Sequence, residues 1–123
     1  MDIDWIRKFC LALPGASEQI QWEDDLLFKV GRKMFAVVPL VPAPVWITFK
    51  CTDEEFAELT EMPGVIPAPY LARAKWVALE TESALPRAEL QRLLRQSYDL
   101  VFAKLTKKVQ SEIIAGGAKK KRR

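Results

Sequence analysis

Histidine is absent from the 123 residues, and cysteine occurs only at Cys10 and Cys51. Without an imidazole, no His-based nucleophile–base pair can form, and neither His-ligated metals nor cysteine clusters are available. The groups left for proton transfer are carboxylates, chiefly Glu23, Asp24 and Asp25 in one run and Asp53, Glu54 and Glu55 in another. Both runs fall in an exposed connector or a helix start, with no apolar surround to displace a pKa, so they read as solvated acids. Glu54 and Glu58 share a helix face, but two carboxylates without a dedicated loop hold a hard cation weakly. Glycine stands only at 15, 31, 64, 116 and 117, which leaves no place for a phosphate-binding P-loop or a dinucleotide-binding fingerprint. The expectation is a protein without catalytic residues, metal or cofactor, in which both thiols are buried small hydrophobes.

A different chemistry is available to the bases. Lys29, Lys33, Lys50 and Lys75 lie on predicted strands, Arg32 sits in a predicted turn, and Trp46 shares a predicted strand face with Lys50. Lysines that neutralise phosphates around an aromatic that stacks on bases are the physical means of binding single-stranded nucleic acid. The competing reading is that these lysines only solubilise an outer sheet face, with Trp46 lying over their stems. Net charge does not decide between the two. Of 19 Lys and Arg, five form the run Lys119 to Arg123, and the rest of the chain holds 14 against 16 Asp and Glu. The basic balance therefore belongs to the tail. Charge is segregated within the body all the same: residues 26–51 contain four bases and no acid, and residues 52–62 five acids and no base.

The elements that position these groups follow from hydrophobic period and punctuation. Asp2 can cap a first helix carrying Ile3, Ile6, Cys10 and Leu13 on one stripe, stopped by Pro14-Gly15. Residues 17–22 suggest a single helical turn. Leu26–Val30 and Lys33–Val38 read as a hairpin around Gly31-Arg32, where glycine supplies a positive φ. In Val45–Cys51, alternation puts Val45, Ile47, Phe49 and Cys51 toward the core and Trp46, Thr48 and Lys50 on the outer face. Thr52 and Glu55 form a capping box for a short helix. Val65–Arg73, with two prolines, suggests an edge strand, and Lys75–Glu80 a further strand. Pro86 opens a long helix with Leu90, Leu94, Tyr98, Val101 and Leu105 on one stripe. A last short helix, from about Lys107 to Ala115, ends at Gly116-Gly117. The sum is an α+β fold, an antiparallel sheet covered mainly on one face by helices.

The segments FKVGRKMFA (28–36), TFKC (48–51), PYLARAKWV (69–77) and SYDLVFAKLTKK (97–108), taken in order, resemble the MmcQ/YjbR family. The resemblance runs from the Trp5 helix to Lys108 and rests on the ordered set, with matching positions at Trp22, Phe28, Lys29, Lys33, Phe35, Lys50, Tyr70, Lys75, Trp76, Ser97 and Tyr98. It implies a two-layer α/β sandwich of order α-β(3)-α-β(2)-α, similar to type III secretion chaperones. It also implies DNA binding, by likeness to a double-wing transcription-factor domain, and no defining enzymatic activity.

Half of the residues are hydrophobic and 28% charged, enough for one core in one domain over residues 1–115, with 116–123 a flexible basic tail. No apolar run is long enough to span a bilayer and no leader pattern opens the chain, so the expected setting is cytoplasmic, without a membrane partner. The expected partner is DNA or RNA, bound at Lys29, Arg32, Lys33, Trp46, Lys50 and Lys75. The alternative is a protein or peptide accepted on the open sheet or its edge. A third reading places a small molecule between sheet and helices with Tyr70 and Tyr98 as polar handles.

Overall fold

A computed structural model describes residues 3–22, 24–69 and 71–121, without the side chains of 117–121. The chain runs α1 (Asp4–Leu11), β1 (Ala16–Gln21), β2 (Asp25–Val30), β3 (Lys33–Pro39), β4 (Ile47–Lys50), α2 (Asp53–Leu59), β5 (Val65–Pro67), β6 (Trp76–Leu79), α3 (Arg87–Ala103) and α4 (Lys107–Lys121). The strands form one antiparallel sheet in the order β1-β2-β3-β4-β6-β5. Helices cover one face of it, as the α+β sandwich reading requires. Four strands precede α2, one more than expected. The extra strand is β1, whose sequence ASEQIQ carries one β-branched residue and no clean alternation. It is a strand because the whole length of β2 pairs with it, from Ala16 opposite Val30 to Gln21 opposite Asp25. Asp2 and Glu23 lie outside the described residues, and α1 starts at Asp4 with no side-chain cap on Ile3.

The main core lies between the sheet and α1 and α3. Ile6 and Cys10 from α1, and Leu90, Leu93, Leu94, Tyr98 and Val101 from α3, pack on Leu26, Phe28, Val30, Val38, Ile47 and Phe49. Pro86 is the N-cap of α3, one position before its expected place. Half of the expected capping box is present: the Glu55 N–H donates to Thr52 Oγ1 at 3.1 Å, while the Glu55 carboxylate accepts from Arg92 Nη2 at 3.2 Å rather than from the Thr52 N–H.

A β-bulge shapes the middle of the sheet. Phe28 pairs with Ala36 but Lys29 pairs with Met34, so Phe35 is an extra residue in β3. Its side chain is fully buried in the core, and it has no partner in the register with either neighbouring strand. Ser97, buried on the sheet-facing stripe of α3, restores the lost bonding. Its hydroxyl donates to Phe35 O at 2.6 Å and accepts from the Lys50 N–H at 3.0 Å. One hydroxyl thereby ties α3 to the bulge in β3 and to the end of β4, two strands that are paired only at Ala36–Phe49 and Val37–Thr48.

The opposite sheet face is only partly covered. Ala68, Trp76 and Ala78 are buried there, with Met34, Val37, Val45, Ile66 and Leu71 packed around them. The connection after β5, including a 3₁₀ turn at Ala72–Ala74, supplies the cover on the β5–β6 side. The last helix passes over Gly116 and Gly117 to Lys121. The expected helix stop at the glycine pair is not observed, and the ends of the basic run, Arg122 and Arg123, lie outside the described residues. No helix among the described residues is long and apolar enough to cross a membrane.

Candidate nucleic-acid interface

The β2–β3 hairpin turns through Gly31 at φ +57° and Arg32 at φ +70°, both in the left-handed region that a two-residue type I′ turn demands. Gly31 is needed for a second reason: a Cβ there would stand 2.5 Å from Leu105 Cδ1. The hairpin tip is therefore seated against the corner between α3 and α4. That contact brings Arg32 and Lys33 to the same end of the molecule as Lys104, Lys107 and Lys108, some 70 residues on in sequence.

The antiparallel order carries further bases to this end, since β2 and β4 finish there and β6 begins there. Lys29 and Lys50 have the side-chain parity of the open face, opposite Met34 and Trp76. Lys29 Nζ donates to Gln19 Oε1 at 2.7 Å, and Lys50 Nζ to Ala74 O at 2.5 Å. Partial burial, and then the charge of Lys104, hold the Lys50 ammonium below its ordinary pKa, while Asp53 acts in the opposite direction. Lys50 and Lys104 thus feel each other as like charges. Lys75 is not on a strand. It caps the 3₁₀ turn at φ +64°, and its Nζ lies 5.0 Å from the centre of the Phe56 ring. Lys33 pairs with Val30, whose side chain faces the helices, so Lys33 leaves the rim on the helix side.

Trp46 does not stand among these bases. It is only 3% exposed and packs in the core with Ile47 and Phe49. Regular alternation fails just before β4: the Trp46 N–H donates to Leu79 O, and Ile47 is the residue paired with Leu79. Val45, expected in the main core, instead joins the cluster on the other face. The register of Ile47, Thr48, Phe49 and Lys50 is as alternation predicts, and the Pro-rich approach to the strand displaces the two residues before it. A tryptophan in the core with its Nε1 buried and unbonded is unavailable for stacking on a base. Among the described residues the exposed aromatic is Trp22, 65% accessible, at the opposite end of the sheet.

The ion pairs among the described residues lie elsewhere, and all use arginine: Arg7–Glu18, Arg92–Glu55, Arg92–Glu89 and Arg95–Asp99. Among the described residues, none of Lys29, Arg32, Lys33, Lys50, Lys75, Lys104, Lys107 and Lys108 has a carboxylate partner in an ion pair. Sequence reasoning missed the last three because helix periodicity says nothing of which strand end a helix terminus meets. Nothing in the sequence pairs Gly31 with Leu105, so no signal there could have joined these lysines to the hairpin.

Both thiols are free and buried. Burial pushes Cys10 up to about 12 and Cys51 up to about 11, in spite of Lys50 and Lys75 beside the latter. The Cys51 thiol donates to Lys75 O at 3.3 Å. Tyr98, expected as a possible ligand handle, donates its hydroxyl to Pro14 O at 2.5 Å and is buried, fastening α3 to the turn before β1. Tyr70 lies outside the described residues. No group of three or more acids and cysteines suited to a metal comes together among the described residues.

An open antiparallel sheet with helices on one face and unpaired bases at one end defines a two-layer α/β domain with a cationic rim. The chain belongs to the YjbR family, whose model matches residues 11–100. It is similar in structure to the Deinococcus radiodurans protein DR2400, a DUF419 domain protein, with a TM-score of 0.81 and 30% identity over 90% of this chain and 86% of that one. It also resembles a structural-genomics target, PsR293, from Pseudomonas syringae. That match has a TM-score of 0.65 and 20% identity over 81% of this chain and 98% of the other, a likeness of fold alone. No curated protein matches the chain. The matched family and structures name no catalytic class.

Proposed function

We propose that this YjbR-family domain is a non-enzymatic nucleic-acid-binding protein of the cytoplasm that holds phosphates at the cationic end of its sheet. Lys29, Arg32 and Lys33 of the hairpin, Lys50 and Lys75 at the adjoining strand ends, and Lys104, Lys107 and Lys108 at the helix corner are the phosphate contacts. The observation that carries this reading is the seat of Gly31 on Leu105, which gathers bases from distant segments that form no ion pair with a carboxylate among the described residues, Asp53 acting on Lys50 only at longer range. Such like charges repel one another until a polyanion neutralises them; Lys104 adds in this way to the burial that lowers the pKa of Lys50. Without Trp46 in the site, recognition is by backbone charge, so little sequence preference is expected.

The test is charge reversal within the rim. Arg32→Glu with Lys104→Glu lowers affinity for a DNA or RNA oligonucleotide strongly at low salt, whereas Arg95→Glu, on the far side of its pair with Asp99, changes it little. Equal effects of the two replacements on a folded protein would reduce the rim to a solvating surface. In that event the second reading gains ground, a peptide added along β1. This strand is six residues long with one edge unpaired and no proline, whereas the other edge, β5, is three residues long and ends in Pro67.

A further inference from the structure

Next to the cationic rim, from which Met34 opposite Lys29 leads toward Trp22, the open face of the sheet holds a hollow of about 540 Å³. Its floor is Met34, Val37, Val45 and Thr48 of the central strands and their approaches. Trp22 and Asp25 from the β1–β2 corner form one wall, and Leu71 from the connection after β5 lies on the other side. The volume falls within the range of small-ligand sites, about 300–1,000 Å³, and the lining has the usual character, apolar with a few polar groups.

Three features of this hollow are left unexplained by packing. Thr48 is only 8% exposed, yet its hydroxyl makes no hydrogen bond among the described residues. The Asp25 carboxylate has no ion-pair or hydrogen-bond partner among them either. Trp22 is 65% exposed with φ +51°, a left-handed conformation unfavourable for a bulky side chain. Trp5, by contrast, is covered by the Arg87 guanidinium, and Trp46 and Trp76 are buried.

We propose that this hollow is a binding site for a small organic ammonium with an aromatic or branched apolar body. The body fills the floor over Met34, Val37 and Val45, the Trp22 ring faces the cation, Asp25 neutralises it, and the Thr48 hydroxyl accepts one of its N–H bonds. A carboxylate and an indole face at the rim of an apolar hollow select a cation over an anion. Closure by Trp22 on one side and Leu71 on the other suits a compact molecule better than a polymer. The site stands independently of the nucleic-acid reading, since it shares no residue with the rim.

The test uses the full-length chain and two probes of similar shape and opposite charge, 2-phenylethylammonium and 3-phenylpropanoate, followed by NMR. The ammonium probe should shift the Trp22 indole N–H, the Met34 methyl and the Thr48 amide in a saturable way, with the carboxylate probe at least about tenfold weaker. Asp25→Asn should weaken the ammonium probe about tenfold and leave the carboxylate probe unchanged. The mapping on the unaltered protein decides the location whether or not that variant folds. Equal affinity for the two probes, shifts centred elsewhere, or no saturable shift with the ammonium would each overturn the assignment.

Discussion

Ser97 shows how one side chain secures a distorted sheet. Its hydroxyl replaces ladder bonds that the extra residue Phe35 took away, so Ser97→Ala leaves a buried carbonyl and a buried N–H without that partner. The expected loss is about 1–3 kcal/mol in urea unfolding, and a loss under about 0.5 kcal/mol would mean that water or a backbone shift takes over the bonding. The same scale governs the thiols. A thiol raised in the folded state binds protons that the unfolded chain has released, so its contribution to stability is intact below the unfolded value of 9.0 and is lost as pH rises toward about 11 for Cys51 and about 12 for Cys10. Lys50, lowered in the folded state, runs the opposite way and grows less unfavourable with alkalinity. We expect unfolding free energy to decline above about pH 9, and the decline to shrink in Cys10→Ala. A flat profile between pH 8 and 10 would contradict the burial of these groups. Burial of both cysteines was legible from their place on apolar faces. The role of Ser97 was not, because a lone serine on an apolar stripe gives no sign of the bulge that it serves.

At the scale of elements, the hairpin was read correctly because Gly31-Arg32 between two β-rich runs leaves few alternatives. The edge strand β1 was not read, since polar residues paired on one side only leave no alternation to detect. Trp46 marks the limit of period-2 reasoning, which holds within β4 and fails where Pro42 and Pro44 bring the chain in at an angle. Arg32 offers a clean separation of stability from binding. It carries the steric cost of φ +70° for a non-glycine residue, and its side chain makes no hydrogen bond or ion pair among the described residues. Arg32→Gly should leave the protein as stable or more stable, by up to about 1 kcal/mol, while weakening its hold on nucleic acid. Thermal unfolding alongside an oligonucleotide titration checks both halves. Loss of stability would mean that the arginine packs in a way the hairpin geometry does not require.

For the whole molecule, the decisive property is the distribution of charge, and here the sequence misleads in a particular way. Its formal +3 comes from five basic residues at the end of the chain, which bind any polyanion and would imitate a function of the folded body. The cationic rim was visible only in part. The bases of residues 26–51 were evident as a run without acids, but the lysines of the α3–α4 corner join them only through the contact of Gly31 with Leu105. Body and tail are separable by salt dependence. Each phosphate neutralised on a single strand contributes a slope of roughly −0.7 in log affinity against log salt, and roughly −0.9 on duplex DNA. If the rim is the site, a chain ending at Gly117 should keep a slope of several phosphates, and the full chain should be steeper by no more than the five charges of residues 119–123 allow. If binding and slope both vanish with the tail, the folded domain does not bind nucleic acid. The unpaired edge of β1 then becomes the surface on which to seek a partner.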